Sequence, residues 1–296
     1  MTESRTLAFL LLAAASLMWS GNWITGRALR DAYDPFTLNF GRWLVAAALL
    51  APFALPRLRG RWSAVRKGAG RLFLLALTGV VLFQSLIYLG LRTTTAVNGV
   101  LINSSMPLFM ILCSWALEGD RASPRQVAGM LVSLVGILVI VSHGSPANLL
   151  RLEARPGDGW ILLAMPVWGL YSVLLKRRPP GLDGLTLLFV LSLIGLAILA
   201  PVVAFEASGH PLHLPTPMQA LGVAYMGSAA SVVAFTCWNK GVSVVGANAA
   251  GFTVHLLPAF GTVLAIAFLG EAFQAYHAAG IATILVGVVL ATRMIR

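Results

Sequence analysis

The chain has 296 residues, 58% hydrophobic and only 10% charged, with a mean hydropathy of +0.84. This composition excludes a soluble globular domain and makes a lipid bilayer the expected partner. The net charge of +11 does not signal nucleic acid, because the cations form short clusters between apolar runs, without aromatic interleaving or a basic helical face.

Runs of about 20 apolar residues, each able to cross a hydrocarbon core of roughly 30 Å, occur ten times. The first, Thr6–Ala28, has only Arg5 before it and no convincing small-residue cleavage site after it, so it reads as a retained span and not a signal peptide. Pro35–Leu55 and Leu72–Leu91 follow. The fourth run, Ala96–Leu117, is polar in the wrong place, with Asn98, Asn103, Ser104, Ser105 and Pro107 inside it. Proline lacks an N–H and clashes with the carbonyl four residues back, so Pro107 is predicted to kink the helix and free the Asn103 carbonyl. The fifth run is Gln126–Ser142, and a polar link with Arg151, Glu153, Arg155 and Pro156 leads to the sixth, Gly159–Leu175. Leu185–Phe205, Met218–Asn239, Gly246–Leu269 and Ala275–Ala291 complete the set. The ninth repeats the fourth, with Pro258 in the place of Pro107 and a freed Val254 carbonyl beside His255. A freed acceptor is tolerated at that depth only inside protein or beside water, so Pro107 and Pro258 are predicted hinges at a shared central cavity.

Self-comparison carries the architecture. A shift of 149 pairs Trp19 with Trp168, Thr37 with Thr186, Phe40 with Phe189, and Ala51-Pro52 with Ala200-Pro201. A shift of 151 then pairs Gly90 with Gly241, Pro107 with Pro258, Gly119-Asp120 with Gly270-Glu271, Gly129 with Gly280 and Gly136 with Gly287. The predicted fold is all-α and integral to the membrane, with ten transmembrane helices in two five-helix repeats. Residues 1–143 form the first repeat, 144–157 a linker and 158–296 the second. An odd number of spans per repeat forces the copies to be inverted. With the N-terminus in the cytoplasm, fifteen cations fall on the inner side, including Arg66 and Lys67, and five on the outer, with Arg42 inside a span. The positive-inside rule therefore predicts that both termini are cytoplasmic.

With these residues in place the chain resembles the bacterial drug/metabolite transporter superfamily, as two tandem EamA-type domains covering nearly its whole length. Trp19-Ser20 and Trp168-Gly169 in the first helix of each repeat, and the Pro107 and Pro258 helices ending in Gly119-Asp120 and Leu269-Gly270-Glu271, carry the likeness. Asp120 departs from the Glu that is commoner there and found at Glu271; both read as structural groups at helix ends. The resemblance implies a transporter of the bacterial inner membrane that exports amino acids and related metabolites, with YddG-like aromatic amino-acid exporters the first comparison.

An uncharged polar side chain facing lipid lacks partners, so Ser20, Asn22, Gln84, Tyr88, Asn98, Asn103, Ser104, Tyr171, Ser172, Ser228, Ser231 and His255 are expected to point inward. From these and their neighbours, the predicted substrate-binding set is Trp19, Asn22, Arg42, Gln84, Tyr88, Asn98, Asn103, Trp168, Tyr171 and His255. Gln84 and Tyr88 are four apart on one helical face, and Trp19 and Asn22 three. The aromatics offer flat apolar walls and a face for an ammonium group. The competing use of any one such Ser or Asn is as glue between helices. Arg42, about seven residues into its span, either snorkels to the outer surface or attracts a carboxylate. His255 either makes an interhelical hydrogen bond or meets substrate and protons.

What is missing narrows the mechanism. Glu118, Asp120, Glu206 and Glu271 all fall at span ends, whereas ion coupling commonly uses carboxylates at mid-membrane. No Gly-rich phosphate loop with a Lys is encoded, so ATP hydrolysis is not expected. Cys113 and Cys237 lie in apolar runs and suggest neither disulfide nor metal, and no cofactor is predicted. Facilitated diffusion or exchange of a small solute is the economical reading, with His255 the candidate if protons are coupled. Two rivals are a multidrug or nucleotide-sugar carrier on the same fold and an intramembrane transferase. The latter lacks support, because Asp31 and Asp34 precede Pro35 at a helix start, where capping explains them; no enzyme is expected. Gly129, Ser133 and Gly136, with Gly280 and Gly287, predict tightly packed fifth and tenth helices, which either hold each half together or make a dimer contact, with internal packing in a monomer the favoured use.

Overall fold

The structure is a computed structural model and describes residues 4–209, 215–269 and 272–292. Predicted features at His210, His213, Gly270-Glu271, Arg293 and Arg296 lie outside the described residues. All ten expected spans are helical: Arg5–Leu29, Pro35–Leu58, Ala69–Thr93, Asn98–Glu118, Pro124–Val141, Pro156–Arg177, Gly184–Ser208, Pro217–Val245, Ala247–Ala267 and Ala275–Thr292, numbered here as spans 1 to 10. Local chemistry sets their starts. Spans 2, 5, 6 and 8 open on proline, whose missing N–H has no partner to lose in a first turn. Ser123 with Gln126, and Thr216 with Gln219, add reciprocal side-chain caps. Asp34, expected to cap span 2, accepts instead from Arg92 at 3.2 Å, while Glu206 takes the Thr37 N–H and hydroxyl.

The two repeats interleave rather than standing side by side. Span 1 packs on spans 8 and 9, and its counterpart span 6 packs on spans 3 and 4; spans 2 and 7 meet, as do spans 5 and 10. The inside-out pattern of a membrane protein follows: Leu10, Phe53, Leu131 and Phe205 are exposed, whereas Ser16, Asn39, Arg42 and Gln84 are buried. Between spans 5 and 10 the predicted glycines meet in antiparallel register, Gly129 against Gly287 and Gly136 against Gly280. The seam is thus internal to one chain, as expected, but it joins the two repeats to each other instead of holding each half together.

The proline helices break more sharply than a mid-helix kink. Span 4 stops at Asn103 and restarts at Met106, so Pro107 sits in the first turn of a new segment. Span 9 breaks likewise into Ala247–Gly251, a tighter turn over Phe252–His255, and Leu256–Leu269 with Pro258 in its first turn. At these breaks the carbonyls reached from other spans are those of Ser104, Thr253 and Leu257. His255 Nε2 lies 2.9 Å from the Ser104 oxygen, joining positions related by the 151-residue shift. From span 1, the Ser16 hydroxyl reaches Thr253 O at 2.9 Å and the Ser20 hydroxyl reaches Leu257 O at 3.0 Å. Ser16→Ala should cost about 1 kcal/mol, the worth of one such bond beside an acceptor left dry; a thermal melt unchanged from wild type would remove Ser16 from the support of the break.

Spans 3 and 8 carry a second irregularity at matching positions, wide π-helical turns over Leu77–Leu82 and Met226–Val233. Their displaced carbonyls are met from outside: Asn39 Nδ2 donates to Val80 O at 2.9 Å, and Trp19 Nε1 to Ala230 O at 3.1 Å. Such turns let a helix change its face part-way along and are frequent at functional sites.

Candidate functional site

A cavity of about 770 Å³ opens at the end of the bundle opposite the N-terminus, between the two repeats. Ser20, Trp23 and Asn103 of the first repeat line it together with Leu257, Pro258 and Thr262 of the second. Its volume falls within the range that encloses small organic ligands. The mouth is cationic, with Arg27 and Arg30 beside Asp31, and carries His143 stacked on Tyr276 at 5.4 Å.

Deeper in, Trp23, Asn103 and Leu257 are shared with a narrow chamber of about 20 Å³, also lined by Trp19, Asn22, Gln84 and Trp168. That is room for about one water. Beneath it lies a tight aromatic floor: Trp168 meets Phe83 at 4.6 Å, Trp19 at 5.1 Å and Trp238 at 5.5 Å between ring centroids. At the N-terminal end, Lys176 ties span 6 to Glu118, the last residue of span 4, and to Asp120 just beyond it. The wide cavity therefore opens at one end of the bundle, and the other end carries this ion-paired cluster beside a smaller cavity of about 110 Å³.

Five predicted residues, Trp19, Asn22, Gln84, Asn103 and Trp168, meet at the chamber. Two more stand directly behind it. Arg42 does not snorkel; it is fully buried, donating Nε to Ser231 Oγ at 2.8 Å and Nη1 to Tyr88 OH at 2.7 Å and Asn22 Oδ1 at 3.2 Å. The remaining three lie away from both cavities. Asn98 Nδ2 donates to Asp158 Oδ2 at 2.8 Å and to Glu153 O at 2.9 Å, fastening the start of span 4 to span 6. His255 is held between Ser133 Oγ and Ser104 O, so it takes the interhelical of its two readings. Tyr171 donates its hydroxyl to Asn239 Oδ1 at 2.8 Å below the floor.

This last pair repeats the first half in disguise. The repeat shifts carry Asn22 to Tyr171 and Tyr88 to Asn239, so each repeat holds one Asn–Tyr pair between its first and third helices, with the two residue types exchanged. Trp23, which lines both cavities, is a site residue that sequence reasoning missed. The available signal was its place four residues after Trp19 on the same helical face.

Comparison with known proteins agrees with this architecture. The profile of the EamA-like transporter family matches residues 6–142 and 155–293. An uncharacterized transporter of Archaeoglobus fulgidus is 29% identical over 96% of this chain and 96% of its own length. The aromatic amino acid exporter YddG of Ancylobacter novellus is 26% identical, covering 99% of each chain, and a probable terminal-alkyne amino-acid exporter of Streptantibioticus cattleyicolor is 25% identical over 95% and 92%. A solved crystal structure superimposes with a TM-score of 0.76 over 98% of this chain and 97% of that one, at 24% identity, and speaks for the fold alone. With its ten spans, its inverted repeats and both repeats matched by one profile, the chain is a multi-pass membrane protein that belongs to the EamA-like transporter family.

Proposed function

We propose that this protein exports amino acids, aromatic or otherwise neutral, and related metabolites across the bacterial inner membrane by alternating access. The observation that carries the reading is that the wide cavity and the narrow chamber share Trp23, Asn103 and Leu257 as a common wall, with an aromatic floor under the chamber. The names of the relatives from Ancylobacter novellus and Streptantibioticus cattleyicolor point to the same substrates. In this reading Trp19, Asn22, Gln84, Asn103 and Trp168 hold the solute, Trp23 parts the two spaces, and Asn98, Tyr171 and His255 keep the helices in register around them. The breaks at Pro107 and Pro258 are where segments of spans 4 and 9 turn as residues 1–143 and 158–296 rock about the site. Facilitated diffusion or exchange fits best, since His255 is engaged on both ring nitrogens and lines neither cavity. The glycine seam is used within the chain, which favours a monomer.

The cation count supports cytoplasmic termini, and with that orientation the wide cavity faces outward. A reporter joined after Arg66 is expected to be active only in its cytoplasmic form, and one joined after His143 only in its external form; the reverse pattern would invert the assignment. The substrate reading is tested by efflux from proteoliposomes loaded with amino acids, a nucleotide sugar or a cationic dye. Amino-acid efflux above that of protein-free vesicles is expected. Efflux of the dye or the nucleotide sugar alone refutes the reading.

A further inference from the structure

Arg42 is a buried cation whose neighbours are all neutral. Among the described residues no carboxylate lies within ion-pair distance of Arg42. Its three hydrogen-bond partners, Ser231, Tyr88 and Asn22, fix Nε and Nη1, while Nη2 has no protein partner. The Trp43 ring lies against the guanidinium, 5.8 Å from its carbon to the ring centroid. A planar fork held on one arm and unspent on the other is the geometry that takes up a carboxylate.

A structural brace is the competing explanation, and the inverted repeat argues against it. At the position equivalent to Arg42 the second repeat has Leu191, fully buried in its place. The matching Tyr171–Asn239 pair nevertheless forms, and at 2.8 Å is tighter than the 3.4 Å between Tyr88 and Asn22. The fold thus builds this Asn–Tyr pair without a cation. What Arg42 adds is positive charge, on one repeat only, behind the wall of the chamber that Asn22 and Gln84 line.

We propose that Arg42 is the specificity-determining residue of the chamber, receiving the carboxylate of the solute on Nη2 while the solute's apolar side chain rests on the Trp19–Trp168 floor. In this conformation Nη2 is buried and Arg42 lines neither cavity, so the carboxylate reaches it as the chamber widens past Asn22, which lines the chamber and accepts from Arg42 Nη1. The proposal rests on reading the chamber as the solute's site. It names the group that is recognised: a carboxylate, so that amines and carboxamides with the same side chain are rejected, as are cationic dyes.

The test measures binding and counterflow in proteoliposomes of wild type, Arg42→Gln and Arg42→Lys, using two matched pairs: phenylalanine with phenylalaninamide, and 3-phenylpropionate with 3-phenylpropionamide. Wild type should prefer an acid to its amide by roughly ten- to a hundredfold, the worth of a hydrogen bond to a charged group. Arg42→Gln should lose that preference by weakening the acid while leaving the amide, and Arg42→Lys, which keeps the charge without the fork, should fall between. A brace role would instead weaken acid and amide together, and that outcome overturns the proposal. Equal handling of acid and amide by wild type overturns it even if neither variant folds. Preference for 3-phenylpropionate over its amide without movement of any amino acid would refute the amino-acid reading and uphold Arg42 as the carboxylate site; movement of neither acid refutes the proposal.

Discussion

Replacing Gly136 by valine is expected to force the two repeats apart and to give a large loss of stability. A Cβ on Gly136 would lie 2.7 Å from Gly280 O and 2.7 Å from Ile284 N. Both are backbone atoms on span 10, and backbone cannot swing aside as a side-chain tip can. The other glycines of the seam are as confined: a Cβ on Gly129 would come 2.6 Å from Gly287 O, and one on Gly280 2.9 Å from Gly136 O. Relief at one point therefore requires the helices to separate along the whole seam, and the dispersion contacts that hold membrane helices together are lost with it. Overpacking of this kind ordinarily costs about 1–3 kcal/mol, and the valine methyls place this case at or above the top of that range. Gly70→Ala is the control, because a Cβ there meets nothing within 4 Å and removes the backbone freedom that glycine gives the unfolded chain. The measurement is thermal unfolding in detergent with size-exclusion chromatography. Gly136→Val should melt well below wild type and Gly70→Ala at or slightly above it; a Gly136→Val melt matching wild type would mean that the seam is not tight.

The glycines of that seam were legible in the sequence as tight-packing positions, because glycine, proline and tryptophan recurring at a fixed shift reveal which positions are equivalent under the inverted symmetry; that the two helices pack on each other was not. Hydropathy gave the ten spans for an equally direct reason, since apolar length alone meets the bilayer's demand. Equivalence does not say which copy faces a cavity. In one conformation the two repeats occupy different environments, and so Asn22 lines the chamber while its counterpart Tyr171 bonds Asn239 beneath the floor. The cost argument that drew polar residues inward was sound but blind between two destinations. Asn98 and His255 satisfy it through Asp158, Ser133 and Ser104 as fully as a solute would. The π-helical turns left no trace, because a widened turn changes one hydrogen-bond register and no residue type. The partners that steady those turns, Asn39 and the Trp19 indole, are consequently readable only from coordinates.

Trp168 brings the second large effect, and its two substitutions separate packing from recognition. Its ring is 1% exposed and touches five aromatic neighbours, the nearest being Phe83 at 4.6 Å and Tyr171 at 5.0 Å. Trp168→Ala therefore opens a void under the chamber and should cost about 3–5 kcal/mol, with transport falling more than about tenfold as the floor loses its shape. An alanine variant alone would leave it uncertain whether the fold or the site had failed. Trp168→Phe answers this. The Trp168 Nε1 proton is buried without a protein partner, a situation that costs about 1–3 kcal/mol when nothing offsets it. Phenylalanine keeps a ring against Phe83 and Trp19 and removes that orphaned donor, so its smaller volume is offset and the melt should stay near that of wild type. If the indole donates to the solute during the cycle, flux should still drop by roughly three- to tenfold, the worth of one neutral hydrogen bond, and the loss should appear in kcat and not in the amount of protein in the membrane. Unchanged flux for Trp168→Phe at equal membrane abundance would reduce Trp168 to a packing residue, because the ring would then account for everything the side chain does. A normal melt with lowered flux assigns the indole N–H to the transported molecule, and explains why a donor with no partner in this conformation is built into the floor at all.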